Sequence, residues 1–170
     1  MLIAETPRLI LRRMTLSDAP FMLELLNSDD FIRHIGDRGV RTIPQAENYL
    51  IEGPMHSYLE HGYGMYIVAL KSTGEAVGVA GLVKRPELTE TDLGYALLPR
   101  FYHKGYAIEA AQAVLRHSDG LGVDPVVAIV NPDNKASINL LEKLGFCFLQ
   151  SISWQDEQQV LMFKRELEVT

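Results

Sequence analysis

Cysteine is nearly absent from this 170-residue chain: Cys147 stands alone, so no internal disulfide can form. The histidines are scattered, with His56 and His61 five apart and His34 and His117 isolated, so nothing has zinc-ligand spacing and no metal is expected. No apolar run approaches the ~20 residues that a membrane helix needs. The opening Met1-Leu2-Ile3-Ala4-Glu5 carries no basic region ahead of an apolar stretch. The expectation is a cytoplasmic protein with no membrane partner. Positive charge is also in deficit: a formal net charge of −6 leaves no basic excess for phosphates, which speaks against nucleic acid as a partner. Repeats and low-complexity stretches are missing too, so one domain over residues 1–170 is expected.

What is present is the balance of an ordinary globular protein, 47% hydrophobic and 22% charged. Arg8 to Met14 reads as an apolar strand, and Ser17 as the N-cap of a helix running to about Leu26. Pro44 suits a first helical turn, and Ala46, Tyr49, Leu50 and Met55 outline a second helical region that Gly53-Pro54 interrupts. Met65 to Leu70 and Ala76 to Val83 form a hairpin across Lys71 to Glu75. Thr91 to Leu98 is a further strand closed by Pro99, a helix follows from Gly105 to about Gly120, and Pro125 to Val130 is a short buried strand. Strand, helix, strand makes the two strands parallel, joined in the right-handed sense. After Asn131-Pro132-Asp133-Asn134 a helix ends at Gly145, suited to a left-handed C′ position, with Phe146 packing back on Leu141. The tail alternates over Cys147 to Ser153 and Val160 to Leu167, with Gln155 to Gln158 between them, as a closing hairpin. The expected fold class is α+β with a mixed sheet.

The loop Arg100-Phe101-Tyr102-His103-Lys104-Gly105-Tyr106-Ala107 joins a strand end to a helix start, where free amide hydrogens and the helix dipole favour an anion. Gly105 and Ala107 let a ligand approach the backbone, while Arg100, His103 and Lys104 add donors. A glycine at an ordinary strand-to-helix turn would look the same. The loop lacks both the P-loop spacing and the three-glycine dinucleotide fingerprint, which leaves a pyrophosphate held without metal. Further on, Asn134 and Ser137 lie three apart on one side of a helix start. Each can reach one extended ligand, or the pair can simply cap the helix.

These blocks resemble the GNAT superfamily of N-acetyltransferases, and within it the ribosomal-protein N-terminal acetyltransferase (RimJ/RimL-like) branch. Glu5 to Arg12 with Thr15 to Ala19 is similar to that branch's opening strand and helix. Asp92-Leu93-Gly94-Tyr95-Ala96-Leu97 through Ala110 is similar to its acetyl-CoA motif, and Asn131 to Phe146 to its second motif. Residues 30–62 and the tail are poorly covered. The resemblance implies a GNAT-like fold, a central mixed and mostly antiparallel sheet flanked by helices, with two parallel central strands splayed apart. It implies an acyltransferase that moves acetyl from acetyl-CoA, as co-substrate and without metal, directly onto a primary amine. The acceptor would be a protein N-terminus or a small molecule, and the enzyme a monomer or homodimer.

By the same resemblance the amides around His103, Lys104, Gly105, Tyr106 and Ala107 hold the CoA pyrophosphate, and Asn134 meets the pantetheine arm. The arm lies along the strand at Leu97 and Leu98 in the manner of an added strand. The attacking amine must be neutral, and Asp92, two before the Gly94-Tyr95 pair, stands where the branch often has its acidic base. Glu90 is the second candidate, and either carboxylate can equally be a solvated strand-edge residue or a holder of the cationic substrate. Leu141 occupies the position where many members carry a tyrosine acid, which leaves Ser137 as candidate donor to the departing thiolate. His103 stands where a glycine is frequent. These departures keep open a non-catalytic acyl-CoA-binding or sensing module of the same fold. Cys147 is expected as a buried small hydrophobe, and Trp154 either lines the acceptor pocket with Gln155 or packs within the tail hairpin. Phe31, His34, Tyr63 and Tyr66 stay open as residues of the acceptor side.

Overall fold

The computed structural model of the chain describes residues 1–154 and 158–166. Its strands are β1 (Leu2–Glu5), β2 (Leu9–Arg13), β3 (Met65–Leu70), β4 (Ala76–Val83), β5 (Thr91–Leu97), β6 (Val126–Val130), β7 (Cys147–Trp154) and β8 (Gln158–Arg165). They form one sheet in the order β1-β2-β3-β4-β5-β6-β8-β7. Every neighbouring pair is antiparallel except β5 and β6. That parallel pair is brief: it holds at Thr91↔Val126 and Asp92↔Val127, after which the two strands part. The α+β class and the mostly antiparallel mixed sheet are therefore as the sequence leads one to expect.

Alternation along β3 shows how the sheet is covered on both sides. Tyr66 and Val68 pack with Leu9, Leu11, Leu93 and the alanines of helix α5 (Tyr106–Leu121). Ile67 and Ala69 pack the other way, against Met22 and Leu26 of α1 (Ala19–Leu26) and Leu50 of α3 (Ile43–Leu50). Helix α6 (Lys135–Lys143) joins the first of these layers through Leu141, and Phe146 donates its amide back to the Leu141 carbonyl at 3.0 Å, as the Gly145 terminus predicts. None of the described helices is long and apolar enough to cross a membrane.

Several elements differ from expectation. The first helix is entered from Thr15, whose amide donates to Asp18 Oδ2 at 2.8 Å through a 3₁₀ turn over Leu16–Asp18, and Ser17 does not cap it. Strand β1 and the short helix α2 (Asp29–His34) were not anticipated. The helical region opened by Thr42, whose hydroxyl accepts from the Gln45 amide, runs through Gly53-Pro54 as a π-helical turn over Ile51–Met55 into α4 (His56–His61). Cys147 is exposed, because β7 is the edge of the sheet and most of its residues face solvent. The expected hairpin turn at Gln155-Asp156-Glu157 and the strand end at Leu167 lie outside the described residues.

Candidate active site

The separation of β5 from β6 opens onto a cleft of about 1000 Å³, a volume suited to a cofactor-sized ligand. At one end lies the loop between β5 and α5. Phe101 and Tyr102 donate to Leu98 and Pro99 carbonyls in a 3₁₀ turn, and the chain then reverses through His103 at φ 63 and Gly105 at φ 79. His103 thus takes a left-handed conformation, one that a glycine adopts without strain. Gly105 is the N-cap of α5 and offers no side-chain cap. Among the described residues no acceptor meets the amides of His103 through Ile108. Unpaired amides at a helix start, turned outward by two left-handed residues, are what a pyrophosphate needs.

Arg8 braces that loop. Its Nε donates to Glu109 at 2.8 Å, its Nη1 to the Lys104 carbonyl at 2.8 Å, and its guanidinium lies 4.6 Å over the Tyr106 ring. Burial alone would raise the Glu109 carboxyl, but the bonds from Thr6 and Arg8 outweigh it and hold the group below the ordinary range. The sequence shows Arg8 only as part of a strand and of the opening block. Its role depends on partners about a hundred residues away, which spacing along the chain does not reveal.

On β5 the side chains of Asp92 and Ala96 leave one face while Leu93, Tyr95 and Leu97 leave the other. Asp92 is 2% exposed and receives Arg85 Nε at 2.6 Å. Burial pushes the Asp92 carboxyl up to about 6, with the charge and hydrogen bond of Arg85 opposing. The Arg85 guanidinium in turn sits 5.8 Å over the Trp154 ring, and all three side chains line the cleft. Trp154 therefore belongs to the cleft wall as well as to the packing around Leu88 and Met162.

Across the opening, Asn134 Oδ1 accepts from the Ser137 amide at 3.3 Å, and the Ser137 hydroxyl bonds the Tyr95 hydroxyl. Burial pushes the Tyr95 phenol up to about 12, with the Ser137 bond opposing. Tyr95 is the hydroxyl that sequence reasoning passed over, reading it only as part of a Gly-Tyr pair. Leu141 is 1% exposed in the core and brings no donor of its own.

Of the candidates, the cleft brings together Asp92, Ser137, Asn134, Leu97, His103, Gly105, Tyr106 and Ala107. It does not include Glu90, Leu98 or Lys104 among its lining. Leu98 is 1% exposed in the layer under α1 and donates its amide to the Val77 carbonyl, so it contributes packing where Leu97 faces the cleft. Lys104 is exposed and serves through its carbonyl, which holds Arg8. Phe31 and His34 line the cleft; Tyr66 is sealed in the core, and Tyr63 is buried with its hydroxyl 3.1 Å from Thr91 Oγ1. Among the described residues no cluster of three or more His, Cys, Asp or Glu is placed to hold a metal.

Comparison with known proteins gives a consistent picture. The family described as an acetyltransferase (GNAT) domain matches residues 8–147. The uncharacterized N-acetyltransferase YoaA of Bacillus subtilis is 30% identical over 146 residues, 85% of this chain and 82% of that protein. An acetyltransferase from Agrobacterium tumefaciens superposes with a TM-score of 0.81 at 24% identity, covering 96% of this chain and 94% of its own. A RimL ribosomal α-N-protein acetyltransferase in complex with coenzyme A superposes with a TM-score of 0.85 at 20% identity, covering 98% of each chain. At such identities the two superpositions speak for the fold.

Proposed function

Because the chain belongs to the GNAT acetyltransferase family, we propose that this acyltransferase moves the acetyl group of acetyl-CoA onto a primary amine by direct attack within one ternary complex. The observation that carries the reading is the row of unpaired amides from His103 to Ile108, opening beside separated parallel strands. Acetyl-CoA supplies the acyl group already activated as a thioester. The amides of His103, Lys104, Gly105, Tyr106 and Ala107 hold its pyrophosphate, Asn134 and Leu97 flank the pantetheine arm, and Leu98 shapes the strand from beneath. Asp92 accepts the amine's proton, directly or through water, and Ser137 donates toward the departing sulfur. Glu90, half-buried and away from the cleft, serves at most the surrounding field.

The acceptor follows from the same proton transfer. An α-amine at about 8 gives up its proton at about 3 kcal/mol less cost than a lysine-type amine at about 10.4, whichever base takes it. That difference favours an α-amine, and the α-N-protein acetyltransferase among the structural neighbours is consistent with it. The test is release of CoA thiol from acetyl-CoA over a panel of peptides with free N-termini, amino acids, polyamines and aminoglycosides. Turnover is expected, highest on α-amines. Tight CoA binding with silence across the whole panel would replace this reading with that of a binding or sensing module, which the apolar Leu141 favours.

A further inference from the structure

Tyr95 follows Asp92 by three residues on β5, so the two side chains lie on opposite faces of the strand that borders the opening. β5 and β6 separate after Asp92↔Val127, and beyond that point the Tyr95 hydroxyl reaches across to α6 and bonds the hydroxyl of Ser137. A longer contact of 3.4 Å runs from the same phenol to the Ser137 carbonyl. Both residues line the cleft. Among the described residues no other partner meets Ser137 Oγ, and the back-bond to a carbonyl one turn earlier, common for serine in helices, is not made. Either hydroxyl can donate by geometry. The phenol, a stronger acid than an aliphatic alcohol, is assigned as donor to the serine oxygen, with the 3.4 Å carbonyl taking a minor share of the same hydrogen. The serine hydrogen is then left for the cleft.

We propose that Tyr95 is a positioning residue that fixes the Ser137 hydroxyl as a hydrogen-bond donor to the sulfur of coenzyme A. The inference rests on the proposed acetyl transfer. In that transfer the nitrogen–carbon bond forms, the carbon–sulfur bond breaks, and the electron pair of the broken bond stays on sulfur. The amine's proton departs on the Asp92 side of the sheet and passes to solvent. Both hydroxyl protons remain on their oxygens, because a thiol of about 8.5 is far more acidic than a phenol held at about 12. The sulfur leaves as an anion steadied by Ser137 and takes its proton from solvent on release. A tyrosine acid at position 141 is therefore not needed, since the chain offers a hydrogen bond in place of a proton.

The competing role for the Tyr95–Ser137 bond is a tie between β5 and α6, and a probe that lacks only the sulfur separates the two. Calorimetry above the thiol's pKa compares CoA with desulfo-CoA, on the full chain and on Tyr95→Phe, Ser137→Ala and Ser137→Thr. The unaltered protein is expected to bind CoA about tenfold more tightly than desulfo-CoA, the size of one hydrogen bond to a charged acceptor. Tyr95→Phe, which keeps the ring in its packing, should bring that ratio down to about twofold or less. Ser137→Ala should abolish it and Ser137→Thr retain it. In turnover, Tyr95→Phe should lower kcat with the KM for acetyl-CoA unchanged. An unchanged ratio in Tyr95→Phe, or no ratio in the unaltered protein, overturns the proposal while leaving acetyl transfer intact. Failure of both molecules to bind overturns it together with the proposed function. Should Tyr95→Phe not fold, an unchanged ratio in Ser137→Ala overturns it equally.

Discussion

Asp92 is held between two opposed influences, and their balance sets a pH dependence. Burial raises its carboxyl to about 6, and the Arg85 nitrogen at 2.6 Å pulls it down. Below about pH 6 the carboxyl is protonated and cannot take a proton, so kcat/KM is expected to fall there along a one-proton limb. Arg85→Met removes the opposing charge and should move that limb to higher pH. Asp92→Asn should erase it and lower the rate by roughly a hundredfold or more. A retained limb in Asp92→Asn would assign the proton transfer elsewhere. The same group affects stability with a definite sign. Its folded pKa lies above the ordinary value of about 3.9, so its contribution is full below about pH 4 and is lost as pH rises through about 6. The unaltered protein should lose melting temperature across that window while Asp92→Asn does not. Asp92, Ser137 and Asn134 were legible in the sequence because each sits at a fixed offset within a short motif. Arg8, Arg85 and Tyr95 were not, since what they do depends on partners brought from distant segments. Cys147 misled for a related reason: the alternation marks a strand, but not that the strand is an edge.

Between β4 and β5 the backbone runs so close that only glycine fits at Gly78. A Cβ there would stand 2.3 Å from the Ala96 carbonyl oxygen and 2.9 Å from the Leu97 Cα, both backbone atoms that cannot turn aside. Gly78→Ala must therefore push β5 outward, at a cost of about 2 kcal/mol. β5 presents Tyr95 and Leu97 to the cleft, so CoA affinity should fall with stability. Urea denaturation and calorimetry on the same variant check both, and wild-type affinity in a destabilised variant would uncouple the strand from the site. The central strands and the β5–α5–β6 unit were legible because their apolar runs are long and their punctuation strong. The Gly53-Pro54 pair reads as a break because proline removes a helical hydrogen bond, yet a widened π turn absorbs it and the helix continues. β1 escaped notice because four residues carry little periodicity, and its place is set by β2, with the Arg13 amide donating to the Met1 carbonyl at 3.0 Å.

For the molecule as a whole, the residues proposed to hold the cofactor come from three stretches of chain that one hydrophobic cluster joins. Leu97, Tyr95 and Tyr106 pack against it from β5 and α5, Ile138 from α6, and it runs on to Leu9 and Leu11 of β2. Sequence reasoning foresaw the closing hairpin but not that β8 inserts between β6 and β7, since sheet order is decided by which faces must be covered and not by local pattern. A ligand bound to all three stretches should stabilise one cooperative unit. At a hundred times its Kd, acetyl-CoA should add about 2.7 kcal/mol, which for a chain of this size raises the melting temperature by roughly 5–10 °C. Gly105→Ala tests whether the loop is the anchor. Its φ of 79 strains any side chain, and its Cβ would come 3.2 Å from Nη2 of Arg8, the guanidinium whose Nη1 holds the Lys104 carbonyl. The variant should melt a few degrees lower without ligand, at a cost of about 1 kcal/mol, and its rise with acetyl-CoA should be much smaller. Scanning calorimetry with and without acetyl-CoA gives both quantities. An equal rise in the two proteins would place the anchoring contacts away from the amides of His103 to Ile108.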